Sequence, residues 1–201
     1  MRRVLAALAL LAGPVAAPAA AQIQHEDPDW PCVQRLVPTL GAAAYWGGPE
    51  PAEGTGWQGD PAAAAAVAGA APRGVNIERG TVLLQAYLAA QAPDARPVAA
   101  ARAMEGLTAA VNEQRGVIIE RLRNLTRRQR AVADRVSAGS ARLRALPLDA
   151  PERPDLAAQR ILILREFDEV QRTIVYACEV PVEMEARLGS YARTLTEGQE
   201  P

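Results

Sequence analysis

Between Leu156 and Leu195 apolar residues recur at alternating steps of three and four. Leu156, Ile163, Phe167, Val170, Ile174, Ala177, Met184, Leu188, Tyr191 and Leu195 hold one phase, and only Arg160 and Pro181 interrupt it. Steps averaging about 3.5 residues put these side chains on one seam, which predicts a helix over 155–195. Such a seam runs about 60 Å, a packing surface for another helix rather than the wall of a compact pocket. The partner lies upstream. Met104, Leu107, Val111, Ile118, Leu122, Leu125, Val132, Val136, Leu143 and Leu146 keep a helical phase from Pro97 onward. Gly106, Gly116 and Gly139 each weaken that helix by about 1 kcal/mol relative to Ala, so bending or fraying is expected there. Pro147, Pro151 and Pro154 form a stiff turn, with Asp155 as the expected cap of the second helix. A connection this short predicts antiparallel neighbours. Pro181 predicts either a kink or an interruption, with one helix ending near Glu179 and another starting around Val182.

Residues 22–59 read differently. Pro28, Pro31, Pro38, Pro49 and Pro51 forbid a long helix and leave a strap, with one short helical turn around Leu40 to Trp46. Trp30, Trp46 and Trp57 are expected to pin this strap to a helical core; in the alternative reading they line an apolar pocket. Asp60-Pro61 is a helix start, and the Ala run continues to about Ala71 before Pro72 and Gly74. Asn76 is placed to cap a helix from Ile77 to Gln91, with Val82, Leu83, Tyr87 and Leu88 as its apolar face. The expected fold is all-α. It comprises a long, coiled-coil-like antiparallel hairpin, 97–146 with 155–195, and two shorter helices at its open end. The expected divisions are a signal over 1–21, the strap over 22–59 and a helical domain over 60–201.

The signal is read from Met1-Arg2-Arg3, the apolar run Val4 to Ala12, and the small residues Ala19-Ala20-Ala21 before Gln22. Cleavage after Ala21 would give a periplasmic or secreted chain; the competing reading is an uncleaved anchor, which Gly13, Pro14 and Pro18 disfavour. No later stretch is long and apolar enough to span a membrane. All 22 basic residues are Arg, which fits a GC-rich bacterial coding sequence, and the net charge is −1. Loss of Arg2 and Arg3 would make it −3, which argues against bulk nucleic-acid binding. Cys32 and Cys178 form an even pair near opposite ends of the exported chain. In an oxidising compartment they read as a disulfide; the alternative is two free thiols, one buried beside Ala177.

The stretch Asp29-Trp30-Pro31-Cys32-Val33-Gln34-Arg35, followed by Val37-Pro38, resembles the opening of small exported proteins of unknown function from Gram-negative bacteria. The resemblance spans residues 29–38 and implies export and a shared Cys. It implies no activity.

Candidate chemistry is sparse. His25 is the only histidine, and no second His or Cys stands at ligand spacing, so no metal or cofactor is expected. Ser137, Ser140 and Ser190 lie outside any G-x-S-x-G turn. Gly47-Gly48, Gly54 and Gly56 lack the strand and helix of a phosphate loop. Glu166, Asp168, Glu169, Glu179, Glu183 and Glu185 face an Arg-rich neighbour and are expected to form salt bridges. From Arg115 to Arg144 nine Arg stand against Glu120 and Asp134, while Asp155 to Glu200 holds nine acids and five Arg. A turn centred near residue 150 sets Arg115 near Glu185, Arg121 near Glu179, Arg130 near Glu169 and Glu113 near Arg187. Opposite charges flanking a seam select partner and orientation. Arg121, Arg128, Arg135 and Arg142 repeat every seven residues beside it. They either pair with the acidic helix or form a ridge for an anionic partner. The functional expectation is a non-enzymatic envelope adaptor or scaffold that offers its hairpin to an envelope protein or a second copy. The alternative is a ligand-binding or chaperone-like protein with a Trp-lined pocket.

Overall fold

The computed structural model describes residues 27–49 and 56–199. The signal expected over Met1 to Ala21, with its cleavage site, lies outside the described residues, as do His25, Pro51 and Gly54. Among the described residues the chain is all-α, with no strand: α1 (Pro61–Ala70), α2 (Ile77–Ala89), α3 (Arg96–Ala145) and α4 (Arg153–Glu197). Short 3-10 turns occur at Ala42–Ala44, Trp57–Gly59 and Pro93–Ala95.

The short helices start where capping chemistry dictates. The Asp60 carboxylate accepts from the backbone N–H of Ala62 and Ala63 at 3.0 and 3.1 Å, with Pro61 at the first helical position. Asn76 Oδ1 accepts from Arg79 N–H at 2.8 Å. Of the expected apolar face of α2, Tyr87 and Leu88 are buried and Leu83 partly so, but Val82 is 61% exposed and Gly80 and Leu84 are buried instead. The cause is Gly80, which lies so close to the Tyr191 phenol that a Cβ would overlap the ring. The helix rolls to present its glycine, and Val82 turns outward.

α3 is about 75 Å long and continuous. The three glycines do not break it. Gly106 lies under Trp57 and Val67, where a Cβ would come within 2.7 Å of both side chains. Gly116 and Gly139 face open space, and the unbroken helical hydrogen bonding carries the chain past them. α4 begins at Arg153, before the expected Asp155 cap, because Pro154 occupies a first-turn position where its missing N–H costs nothing. It then runs through Pro181 to Glu197 without ending. Pro181 is buried, so its ring belongs to the seam rather than to a loop.

Specific contacts fix the relation of α3 to α4. Arg160 Nε donates to Ser140 Oγ at 2.8 Å, Arg135 meets Glu166 at 3.1 Å, and Arg115 meets Glu185 at 2.6 Å. Higher numbers on α4 match lower numbers on α3, so the helices run antiparallel. At the turn, Arg153 Nη1 donates to the carbonyls of Leu143 and Leu146 at 2.7 and 3.1 Å, which closes the last turn of α3.

The core is concentrated at the open end. Val67 and Ala70 of α1, Leu84 and Leu88 of α2, Met104, Leu107 and Val111 of α3, and Leu188, Tyr191 and Leu195 of α4 form one buried cluster. Tyr191 donates to the Ala70 carbonyl at 3.1 Å, linking α4 to the end of α1. Toward the turn the two helices stand alone. Val132, Val170 and Ile174 are buried there, but Val136, Leu143, Ile163 and Phe167 remain partly exposed.

The strap is bound along the helix pair. Cys32 and Cys178 are joined as a disulfide with Cα atoms 5.5 Å apart, so they are not free thiols. Asn112 exchanges two hydrogen bonds with the Leu40 backbone, at 2.8 and 2.9 Å. Arg115, 2% exposed, donates to the Val37 carbonyl at 2.9 Å. No helix of the described residues is long and apolar enough to cross a membrane.

Candidate functional site

The heptad arginines form one edge of the α3–α4 pair. In the register set by Ser140 and Arg160, Arg142 faces Ala158, Arg135 faces Arg165, Arg128 faces Arg172 and Arg121 faces Glu179. Of the four, only Arg128 and Arg135 have an ion-pair partner among the described residues, and they share it. Glu166 takes both central arginines, Arg128 at 2.9 Å and Arg135 at 3.1 Å. The hydrogen bond from Arg128, aided by Arg135, holds the Glu166 carboxyl below the usual carboxylate range. Arg128 and Arg135 are still more than half exposed, at 61% and 56%. Arg121 and Arg142 are exposed and have no ion-pair partner among the described residues. The ridge is a line of cations in excess of its counterions.

A neighbouring set of arginines is neutralised by residues the charge pattern alone did not indicate. Arg123 pairs with Asp27 at 2.7 Å, Arg127 with Asp29 at 2.6 Å, and Arg130 also with Asp29. Glu120 adds contacts to Arg123 and Arg127 at 3.4 and 3.0 Å. The hydrogen bond that Arg123 donates to the Asp27 carboxylate raises the Arg123 pKa further. The expected Arg130–Glu169 pair is therefore replaced by a strap contact. Arg121 does not pair with Glu179. Arg187 does not pair with Glu113; it donates to the carbonyls of Pro72 and Arg73 at 2.9 and 3.3 Å, capping the segment after α1. The Arg115–Glu185 pair forms as the register requires.

The signal that would have located Asp27 and Asp29 was present. A bond from Cys32 to Cys178 brings the strap beside α3 near Leu122, so acids three to five residues before Cys32 fall on Arg123 to Arg130.

The outer face of α4 carries a second unusual feature. Ile161, Leu162, Val175, Tyr176 and Val182 are 50 to 70% exposed on the side away from the seam. A shallow depression of about 290 Å³ there is lined by Asp168, Gln171, Arg172, Val175 and Tyr176. The tryptophans are taken up internally. Trp30 Nε1 donates to the Gln34 carbonyl at 2.8 Å and Trp46 Nε1 to the Pro49 carbonyl at 3.0 Å, while Trp57 lies against Gly106. Among the described residues no group of three or more His, Cys, Asp and Glu is arranged to hold a metal ion.

No family model, curated protein or solved structure matches this chain.

Proposed function

We propose that this chain is an exported, non-enzymatic adaptor of a bacterial envelope, which presents its helix pair to an acidic protein partner through the arginine ridge. The observation that carries the reading is the cation excess on that edge: Arg128 and Arg135 share the one carboxylate of Glu166, and Arg121 and Arg142 are exposed with no ion-pair partner among the described residues. An exposed cation excess steers association with an anionic surface and sets orientation on docking. Two further features support it. The exposed apolar stripe on α4 gives the same arm a surface of the kind found at protein contacts. The Cys32–Cys178 bond fits an oxidising compartment outside the cytoplasm. The base of the molecule, where the core lies, then acts as the anchor for the projecting pair.

Capture from an envelope extract tests the reading, with Arg128→Glu/Arg135→Glu compared with the unaltered chain. Loss of an acidic partner in the double variant, with helicity unchanged by circular dichroism, is expected. Equal capture by both proteins would end the proposal for the ridge. Sedimentation of the same samples reads whether the α4 stripe takes up a second copy.

A further inference from the structure

We propose that the open cleft between the end of α3 and the start of α4, lined by Ser140, Leu143, Arg144, Arg153 and Arg160, binds a phosphate group. The cleft has a volume of about 200 Å³. Three guanidiniums surround it, and none has a carboxylate partner among the described residues. Asp149, Glu152 and Asp155 lie in the same turn in sequence, yet they neither line the cleft nor pair with these arginines. Three like charges around one concavity repel one another unless an anion lies between them.

The donors already committed leave others available. Arg153 uses Nη1 on the Leu143 and Leu146 carbonyls, which fixes its plane and leaves Nη2 and Nε. Arg160 uses Nε on Ser140 Oγ, leaving both terminal nitrogens. Arg144 is exposed and has its whole fork open. Two of the three arginines are therefore held in position by contacts other than the ligand. A tetrahedral, doubly charged anion accepts bidentate pairs from more than one such fork, which a single flat carboxylate does less completely. These residues are distinct from the ridge, so the inference stands apart from the adaptor reading.

The test titrates the purified, disulfide-intact chain with inorganic phosphate, against chloride at equal ionic strength, by calorimetry. Saturable phosphate binding is expected. Arg144→Gln should weaken it about tenfold, as loss of a charge-assisted hydrogen bond does. Arg160→Gln should weaken it as well, and Arg121→Gln on the ridge should leave it unchanged. The Arg144 side chain is exposed and makes no hydrogen bond within the described residues, so its variant is expected to keep the fold. A second arm uses phosphatidylglycerol vesicles against phosphatidylcholine vesicles. Sedimentation with the anionic vesicles alone, lost in Arg144→Gln, identifies a lipid headgroup; phosphate binding without vesicle binding identifies a free phosphate or soluble phosphate ester. Phosphate no different from chloride, or affinity unchanged in both cleft variants, would overturn the proposal while leaving the ridge untouched.

Discussion

Gln34 donates a 2.6 Å hydrogen bond from Nε2 to the carbonyl of Cys178, three residues before Pro181. A proline inside a helix lacks the N–H for the carbonyl four residues back and crowds the preceding turn. The strap supplies a side-chain donor at that turn, and the Cys32–Cys178 bond holds the donor in place. The carbonyl that Pro181 leaves without its helical donor is that of Ala177, so the strap bonds the adjacent carbonyl rather than replacing the missing bond, and α4 runs on through the proline. Replacing both cysteines with Ser is expected to lower stability by about 2–5 kcal/mol, as loss of a long-range disulfide commonly does. Denaturant unfolding measures this, and amide exchange near residues 178–184 should accelerate. An unchanged midpoint would mean that the strap does not support α4.

Arg115 joins three parts of the molecule: α3, the Val37 carbonyl of the strap, and Glu185 of α4. Arg115→Ala empties a buried site, leaving the Val37 carbonyl without its donor and Glu185 without its partner, for a loss of about 2–3 kcal/mol. Glu185→Gln should cost less, about 1 kcal/mol, because the Glu185 side chain is 35% exposed and water screens the pair. It has a second readout. Burial first, and the Glu185 charge second, raise the Tyr45 pKa. Removing that charge leaves Arg115 to lower it, so ultraviolet titration should find the Tyr45 phenol ionising at lower pH in the variant.

The long helices were legible because their apolar phase is set by local repetition, and the antiparallel register followed from the proline turn. Arg115–Glu185 is one consequence of that register. What the repetition could not convey was the competition for each charge. Arg130 is within sequence reach of Glu169, but Asp29 arrives from far upstream on the disulfide-tied strap. Arg187 had an acid in register, but the carbonyls of Pro72 and Arg73 lie closer. On α2, Tyr87 and Leu88 are buried as their spacing indicated, but Val82 is exposed, because the residue packed under Tyr191 is a glycine, Gly80, which carries no apolar signal. The three arginines of the cleft are scattered over residues 144–160 and carry no periodic signal, so only the folded turn brings them together.

Two glycine substitutions should move stability in opposite directions. A Cβ at Gly80 would overlap the Tyr191 phenol, whose hydroxyl also reaches Ala70. Gly80→Ala is therefore expected to destabilise by about 1–3 kcal/mol, the usual range for overpacking a closed site. At Gly116 nothing lies within 4 Å of an added Cβ. Gly116→Ala should stabilise α3 by about 1 kcal/mol through helix propensity. Thermal unfolding of the two variants beside the parent distinguishes these effects, and a gain at position 80 would contradict the packing of α2 on α4.

Asp60 gives stability a defined dependence on pH. Its carboxylate caps α1 through the Ala62 and Ala63 amides and meets Arg102 at 2.8 Å. The hydrogen bond from Ala63, followed by that from Arg102, lowers its pKa below the ordinary carboxylate value. Because the folded-state pKa is the lower one, folding favours the ionised form. The contribution is complete above the unfolded value, about 3.9, and is lost as pH falls through the folded one. Asp60→Asn keeps a capping oxygen but removes the charge, so it isolates the electrostatic part. At pH 7 the variant should be less stable than the parent. The difference should shrink below about pH 4 as the parent's carboxyl takes up its proton. Urea unfolding of both proteins from pH 7 down to the onset of acid denaturation provides the comparison. A gap that stays constant across that range would show that the charge on Asp60 contributes nothing and that only the cap matters.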